Sequence, residues 1–312
     1  MKKAPVIILL ACVSLLLCSC NKFSIGEITD EQRSISEAFQ IVEIRDDINV
    51  SLRHSNSDTA AGSIFIRTGE NLIDAINAQT EAFLEVNGGD TADFTKLVIT
   101  NDNSINYLRP YNHTPKMTVY YDTIYKIIFY SNALNIHTDT LRGYNFPTHF
   151  ANDTIEWDSL APNLILEVEG GSGNFNVLTN CYKMIAKYIH GTSTLNIKGH
   201  ATLASTYADY DCHGIINSKE LNTHVHYVTT YGTNIIKTRA YYLLDVKNGN
   251  IGEVHYLRHD IKKQVCVWNE ISHQFDTINK TIRNPEIIRY NDQYIDTWSY
   301  HNTEPGLVME TE

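Results

Sequence analysis

The sequence predicts an all-β fold, a β-solenoid with one short helix near its N-terminal end. Three observations carry that expectation. Apolar and polar side chains alternate in short runs from Phe39 onward, and no long helical period separates them. Glycine-marked corners recur about every twenty residues, as in GGSGNFNV at 170–177 and HGTSTLNI at 190–197. An apolar residue stands at a constant offset from each corner, which is what a stack of equivalent coils requires.

Residues 1–19 read as an export signal. Lys2 and Lys3 precede an apolar run from Val6 to Leu17, shorter than the ~20 residues that span a bilayer. Cys20 follows Ser19, with Leu17 three residues before it. A small residue before the thiol and an apolar one upstream are the signature of a lipid-accepting cysteine; Cys18, directly after bulky Leu17, fits it less well. The expected partner of this end is the membrane, reached through lipid on Cys20, and the expected address is the outer membrane. Two lipid signals suffice for stable attachment. Residues 20–38 are polar and suit a tether.

From residue 39 the pattern turns to strands. FQIVEI and INVSL read as two strands around Asp46-Asp47, with Ile48, Val50 and Leu52 on one face. ENLIDAINAQ is the helical candidate, with Leu72, Ile73 and Ile76 on one side. KLVIT, MTVYY, YKIIFY, LNIHT and LILEVE follow as short strands, and the lack of helices between them excludes βαβ folds. The solenoid is expected over 39–263, with 39–105 covering one end. Residues 264–312, with strands QVCVW and EIIRY, cover the other before a loose tail, HNTEPGLVMETE.

Corners at Gly171, Gly191, Asp211, Gly232 and Gly249 lie 20, 20, 21 and 17 residues apart. Phe175, Leu195, Ile215 and Ile236, four residues past the first four corners, are expected to stack inward. Val168, Tyr188, Ala208, Thr229 and Val246, three before, form a second row. Glu253 breaks the first row and Val254, one later, restores it. Glu167 and Lys187 are expected side by side on the outer surface. A sandwich or barrel also spaces its strands evenly, but hairpins rarely hold one offset through four repeats, so the solenoid is favoured.

A net charge of -11 without a Lys/Arg cluster excludes a nucleic-acid partner. The 19 tyrosines suit both strand faces and binding surfaces. Once the signal and Cys20 are set aside, Cys181, Cys212 and Cys266 remain, widely spaced and without a CxxC, so neither zinc nor a disulfide framework is indicated and free buried thiols are expected. DYDCHG places Asp209, Asp211 and His213 at alternate positions, where carboxylates of a glycan-cleaving site could converge; the simpler reading is a polar corner. His255, Arg258 and His259 fall in later coils. HVHY places His224 and His226 on one face, two ligands of a metal whose third is not identifiable. No cofactor is indicated, and no pattern specifies an oligomeric state.

The order AFQIVEIRDDINVSL, GENLIDAINAQ, KLVITNDNSINYLRPYNHTPKMTVYY and GGSGNFNV resembles the head GIN domain family, auto-transporter adhesin-like lipoproteins of Bacteroidetes, over roughly residues 38–260. The resemblance implies a single-chain, right-handed parallel β-helix in an exported lipoprotein and supplies no catalytic residues. The chain departs from the family's Ser-Gly-Ser-Gly-Asp corners in all but the first repeat and adds about fifty residues after them. No heptad stalk or C-terminal membrane barrel accompanies it. The functional expectation is a non-enzymatic envelope protein that binds glycan or protein; the alternatives are a polysaccharide hydrolase or lyase and an envelope scaffold.

Overall fold

The computed structural model describes residues 26–87, 90–102, 114–130, 135–143, 163–249, 252–269, 274–295 and 304–311. The chain is all-β: the described residues form twenty strands paired into a curled sheet and a 3-10 helix at Glu70–Ala75. That helix is shorter than the ten residues expected. The backbone becomes extended at Ile76, which enters the core, and the helix itself buries Leu72 and Ala75.

Two parallel ladders organise the sheet. The first stacks β6 (Asp90–Asn101), β2 (Ile41–Ile44), β8 (Lys126–Phe129) and β10 (Leu164–Val168). It continues through the later halves of β11 (Asn174–Gly191), β12 (Thr194–Cys212) and β13 (Ile215–Thr230), then β15 (Leu243–Asn248) and β18 (Ile287–Tyr290). The second stacks β7 (Lys116–Tyr121), β3 (Asn49–His54) and β9 (Asn135–Thr138). It passes through the first halves of β11, β12 and β13 to β14 (Ile235–Thr238), β16 (Glu253–Asn269) and β20 (Leu307–Thr311). A long strand such as β11 therefore begins on one ladder, bends, and ends on the other.

Alternation decides what each ladder buries. Inward side chains form rows at one inter-strand spacing, ~4.8 Å. One row runs Val50, Ile136, Phe175, Leu195, Ile216, Ile236, Val254 and Leu307, all of them buried. The Phe129 and Phe175 rings stack at 4.4 Å where the ladders meet. Phe175, Leu195, Ile236 and the restoring Val254 are as expected. Ile215 is not: it is half-buried on the outer face, and Ile216 holds the inner place.

The shift has a local cause. Tyr188 pairs with Ala208, but His190 pairs with Asp211, so β12 carries one residue more than β11 between those pairs. A second irregularity lies between Asn196 and Lys198, which pair with Asn217 and Glu220. The row through Val168, Tyr188 and Ala208 consequently continues into Thr230, not Thr229, and Val246 belongs to the neighbouring row opposite Val228. Neither Asp211 nor the other alternating residue of its loop is the corner equivalent of Gly191; Cys212 is.

The N-terminal region also departs from expectation. β2 and β3 do not pair as a hairpin but lie on different ladders. β6 and β7, which come later in the chain, stack outside them. The antiparallel strands β1 (Ile28–Ser34), β4 (Ser63–Gly69) and β5 (Ile76–Asn87) line this end. β1 is formed by residues read as tether. At the other end β17 (Gln274–Asn284) pairs back on β16 and β19 (Gln293–Ile295) on β18. Residues 307–311, read as loose tail, are strand β20, anchored by buried Leu307.

Glu167 and Lys187 do stand side by side, Nζ to Oε2 3.7 Å. Glu167 is not on an open surface, however, for it is only 9% exposed. The β5–β6 hairpin lays Phe83 and Phe94 over the outward residues Ile41, Tyr125, Ile128 and Ile165. Lys126 reaches Glu167 at 3.2 Å beneath this cover, and Lys96 reaches Glu43 at 2.5 Å.

Candidate functional site

The corners leading from the first ladder into the second run in a column: Gly171, Gly191, Cys212, Gly232. Thr192, His213 and Thr233 donate their backbone N–H groups to the preceding corner's carbonyl at 2.9, 3.0 and 3.2 Å. Gly191 has φ +111°, and a Cβ there would sit 2.7 Å from the Gly171 carbonyl oxygen, so glycine is required. At the third corner the extra residue of β12 relaxes that requirement and admits Cys212, whose thiol turns inward and is buried.

An added residue in one strand bends the backbone and re-aims its side chains. Here it projects Tyr210, which is 62% exposed. Its ring stacks on Tyr231 of the next coil at 5.1 Å and 24°. Tyr207 meets Tyr231 edge-on at 6.0 Å. Gly249 makes room beneath, since a Cβ there would lie 2.6 Å from Tyr231 Cδ1. The Asp209 carboxylate accepts the Tyr210 N–H at 2.7 Å, which fixes the bulge. Desolvation raises the Tyr207 hydroxyl pKa, and Asp209, Tyr231 and Tyr210 add to the rise.

The expected triad is thus divided by the bulge. Asp209 is half-buried among the tyrosines; Asp211 is exposed beyond them, opposite His190; His213 is exposed and its Nδ1 lies 2.5 Å from Thr233 Oγ1. Tyr207 and Tyr231 escaped the sequence reading. The signal was present as a 21-residue step in a 20-residue period, with tyrosine on both sides of it.

The histidine pair is divided too. The chain turns between ladders at residues 221–224, so His224 faces out, stacked on Tyr242 at 5.2 Å, while His226 is fully buried. His226 lies between Thr206 Oγ1 at 2.9 Å from Nε2 and Thr238 Oγ1 at 2.5 Å from Nδ1. Burial drives its pKa down to about 4, which makes it a neutral core residue. His255 contacts Glu310 and Glu253 at 2.8 and 2.9 Å, tying β20 to β16, and Arg258 pairs with Asp260. Among the described residues no three His, Cys, Asp or Glu side chains form a metal-holding group. Cys181 and Cys212 are buried free thiols, raised by desolvation to about 11 and about 12. Cys20 and the side chain of Cys266 lie outside the described residues.

A polar cleft of about 570 Å³ lies elsewhere, lined among others by Arg33, Asp46, Asp74, Asn77, Asn101 and Asp102. Arg33 is occupied there by Glu31 and by the carbonyls of Ile76 and Ile73 at 2.5 and 3.2 Å.

The fold has solved counterparts. A "putative adhesin" from Bacteroides fragilis aligns at TM-score 0.54 and 16% identity, over 74% of this chain and 88% of that one. A "putative lipid binding protein" from Parabacteroides distasonis aligns at 0.49 and 14%, over 74% and 90%. A "putative adhesin" from Parabacteroides merdae aligns at 0.42 and 16%, over 75% and 90%. The first likeness shows a shared fold. No family model and no curated protein matches the chain.

Proposed function

We propose that the chain is a non-enzymatic envelope lipoprotein of the head GIN type, held in the outer membrane through lipid on Cys20, whose bulged corner binds glycan or protein. The carrying observation is exposed Tyr210, stacked on half-buried Tyr231 at the bulged corner. The parallel pairing of successive coils supports a right-handed β-helix, since parallel strands joined by crossovers take that hand in about 98% of cases. The description of the Bacteroides fragilis counterpart agrees with a binding role.

The test is capture. The Cys20→Ala chain, immobilised, is challenged with envelope glycans and envelope proteins. Retention that disappears when Tyr210 and Tyr231 are both changed to Ala is expected; retention indifferent to that change contradicts the reading. The same Cys20→Ala chain should leave the membrane fraction, and its persistence there through a carbonate wash refutes the anchor.

A second reading, hydrolysis of a polysaccharide, is favoured by one feature: Asp46, Asp74 and Asp102 line a common cleft. Glycan cleavage lost in Asp74→Asn would establish it in place of the first.

A further inference from the structure

Building on the binding role just given to this corner, we infer that Tyr210 and Tyr231 form a stacking platform for a neutral saccharide, with Asp209 and Asp211 as acceptors for its hydroxyls. One face of the Tyr210 ring is covered by Tyr231, and its 62% exposure leaves the other to solvent. An aromatic face carries the negative lobe of the ring quadrupole and favours weakly positive C–H groups. One side of a pyranose presents such groups, while its rim presents hydroxyls that donate to carboxylates.

Three features set the ligand class. The platform is preformed: the Asp209 bond to the Tyr210 N–H and the stack on Tyr231 hold the ring, so little freedom is lost on binding. Its charge is acidic, with Asp209 and Asp211 adjoining Tyr210 in the chain and a net charge of -11, which disfavours uronates and sulfated sugars. Its setting is polar. A protein partner needs about 800 Å² on each side around a buried anchor, and the corner residues Asp211, His213 and Thr233 are exposed and polar. One stacking ring with hydroxyl acceptors suits a single sugar unit better than a protein face.

The experiment is calorimetric titration of the whole chain, purified in a zwitterionic detergent, with mannohexaose, cellohexaose, maltoheptaose, chitohexaose and pentagalacturonate. At least one neutral oligosaccharide should bind, and pentagalacturonate more weakly. Tyr210→Ala should weaken that binding about tenfold, as expected for a lost aromatic stack. Tyr210→Phe, which keeps the ring, should retain it, and Tyr294→Ala, a 76% exposed tyrosine on β19, should leave it unchanged. Both Tyr210 variants should keep the parent's melting transition, which separates loss of the platform from loss of the fold. Binding indifferent to Tyr210→Ala, or pentagalacturonate as the tighter ligand, overturns the inference. If no saccharide binds but envelope proteins are still captured, the saccharide assignment falls and the binding role stands. If neither is captured, both fall.

Discussion

The middle coils and the N-terminal coils obey the same ladder rules and differ in how the chain visits them. From β10 to β13 chain order equals stacking order, and each coil lies about one period after the last. At the N-terminal end the β6–β7 coil lies outside the β2–β3 coil although it follows it in the chain, and the β5–β6 hairpin covers an outward face. Beyond β10, whose outward Ile165 the hairpin covers, the middle region carries two register irregularities, and the one opposite Tyr188 and His190 projects Tyr210. The N-terminal region instead encloses apolar and charged side chains in a second small core. A coil's outward residues are surface or interior according to what the chain lays over them, and the coil itself does not encode which.

The largest expected effect breaks the middle stack. Leu195→Ala opens a cavity between the buried Phe175 and Ile216 and should cost about 2–5 kcal/mol, read from chemical unfolding. Equal costs for Leu195→Ala and Ile215→Ala would place both in one row and undo the register. The next effect belongs to the N-terminal cover. Glu43→Gln removes the partner of buried Lys96 and of Arg45, and should cost about 3 kcal/mol, at the low end for a broken buried pair because Lys96 keeps Glu81 at 2.7 Å. A neutral outcome would mean that the hairpin does not enclose that face.

Acid provides a third comparison. His226 has a folded pKa of about 4 against 6.5 for the free group. Between these values the unfolded chain takes up a proton that the folded chain refuses. The contribution is complete above pH 6.5, declines as pH falls through the window, and is gone below about 4, a total of about 3 kcal/mol. Unfolding followed from pH 7 to 4 should show this decline, and it should vanish in His226→Gln. A profile identical in both chains would place the imidazole in solvent. The smallest effect is Lys198→Ala. Its partner Glu220 lies 2.7 Å away and both are exposed, so the change should be ~0–1 kcal/mol.

These contrasts also mark what the sequence could tell. Phe175, Leu195, Val168, Tyr188 and Ala208 were legible because two consecutive coils share one length, and alternation then fixes every side chain. Ile215 was misplaced because Ile215 and Ile216 are both apolar and satisfy either phase; only the added residue near Tyr210 decides between them. Thr229 was misplaced by the second irregularity, between Asn196 and Lys198, which carries Ala208 on to Thr230. The burial of Glu167 was hidden because the hairpin that covers its neighbours Ile128 and Ile165 with Phe83 and Phe94 comes from far earlier in the chain. Of the site, Asp209, Asp211 and His213 were visible as a polar loop, while Tyr231 was not, since its role depends on Gly249 leaving space one coil later.

The register across the bulge is tested most directly by disulfide trapping. Asn196 and Asn217 are opposed on adjacent parallel strands, with Asn217 Nδ2 3.1 Å from Asn196 Oδ1. Cysteines at such positions have Cα atoms ~4.8 Å apart, within the range a disulfide spans. The Asn196→Cys/Asn217→Cys chain should form that bond under mild oxidation, identified by mass spectrometry of the linked peptides. Asn196→Cys/Ile216→Cys, one full 20-residue step apart, should not, because position 216 points into the core. Linkage of 196 to 216 in place of 217 would contradict the added residue, and with it the account of why Tyr210 stands exposed.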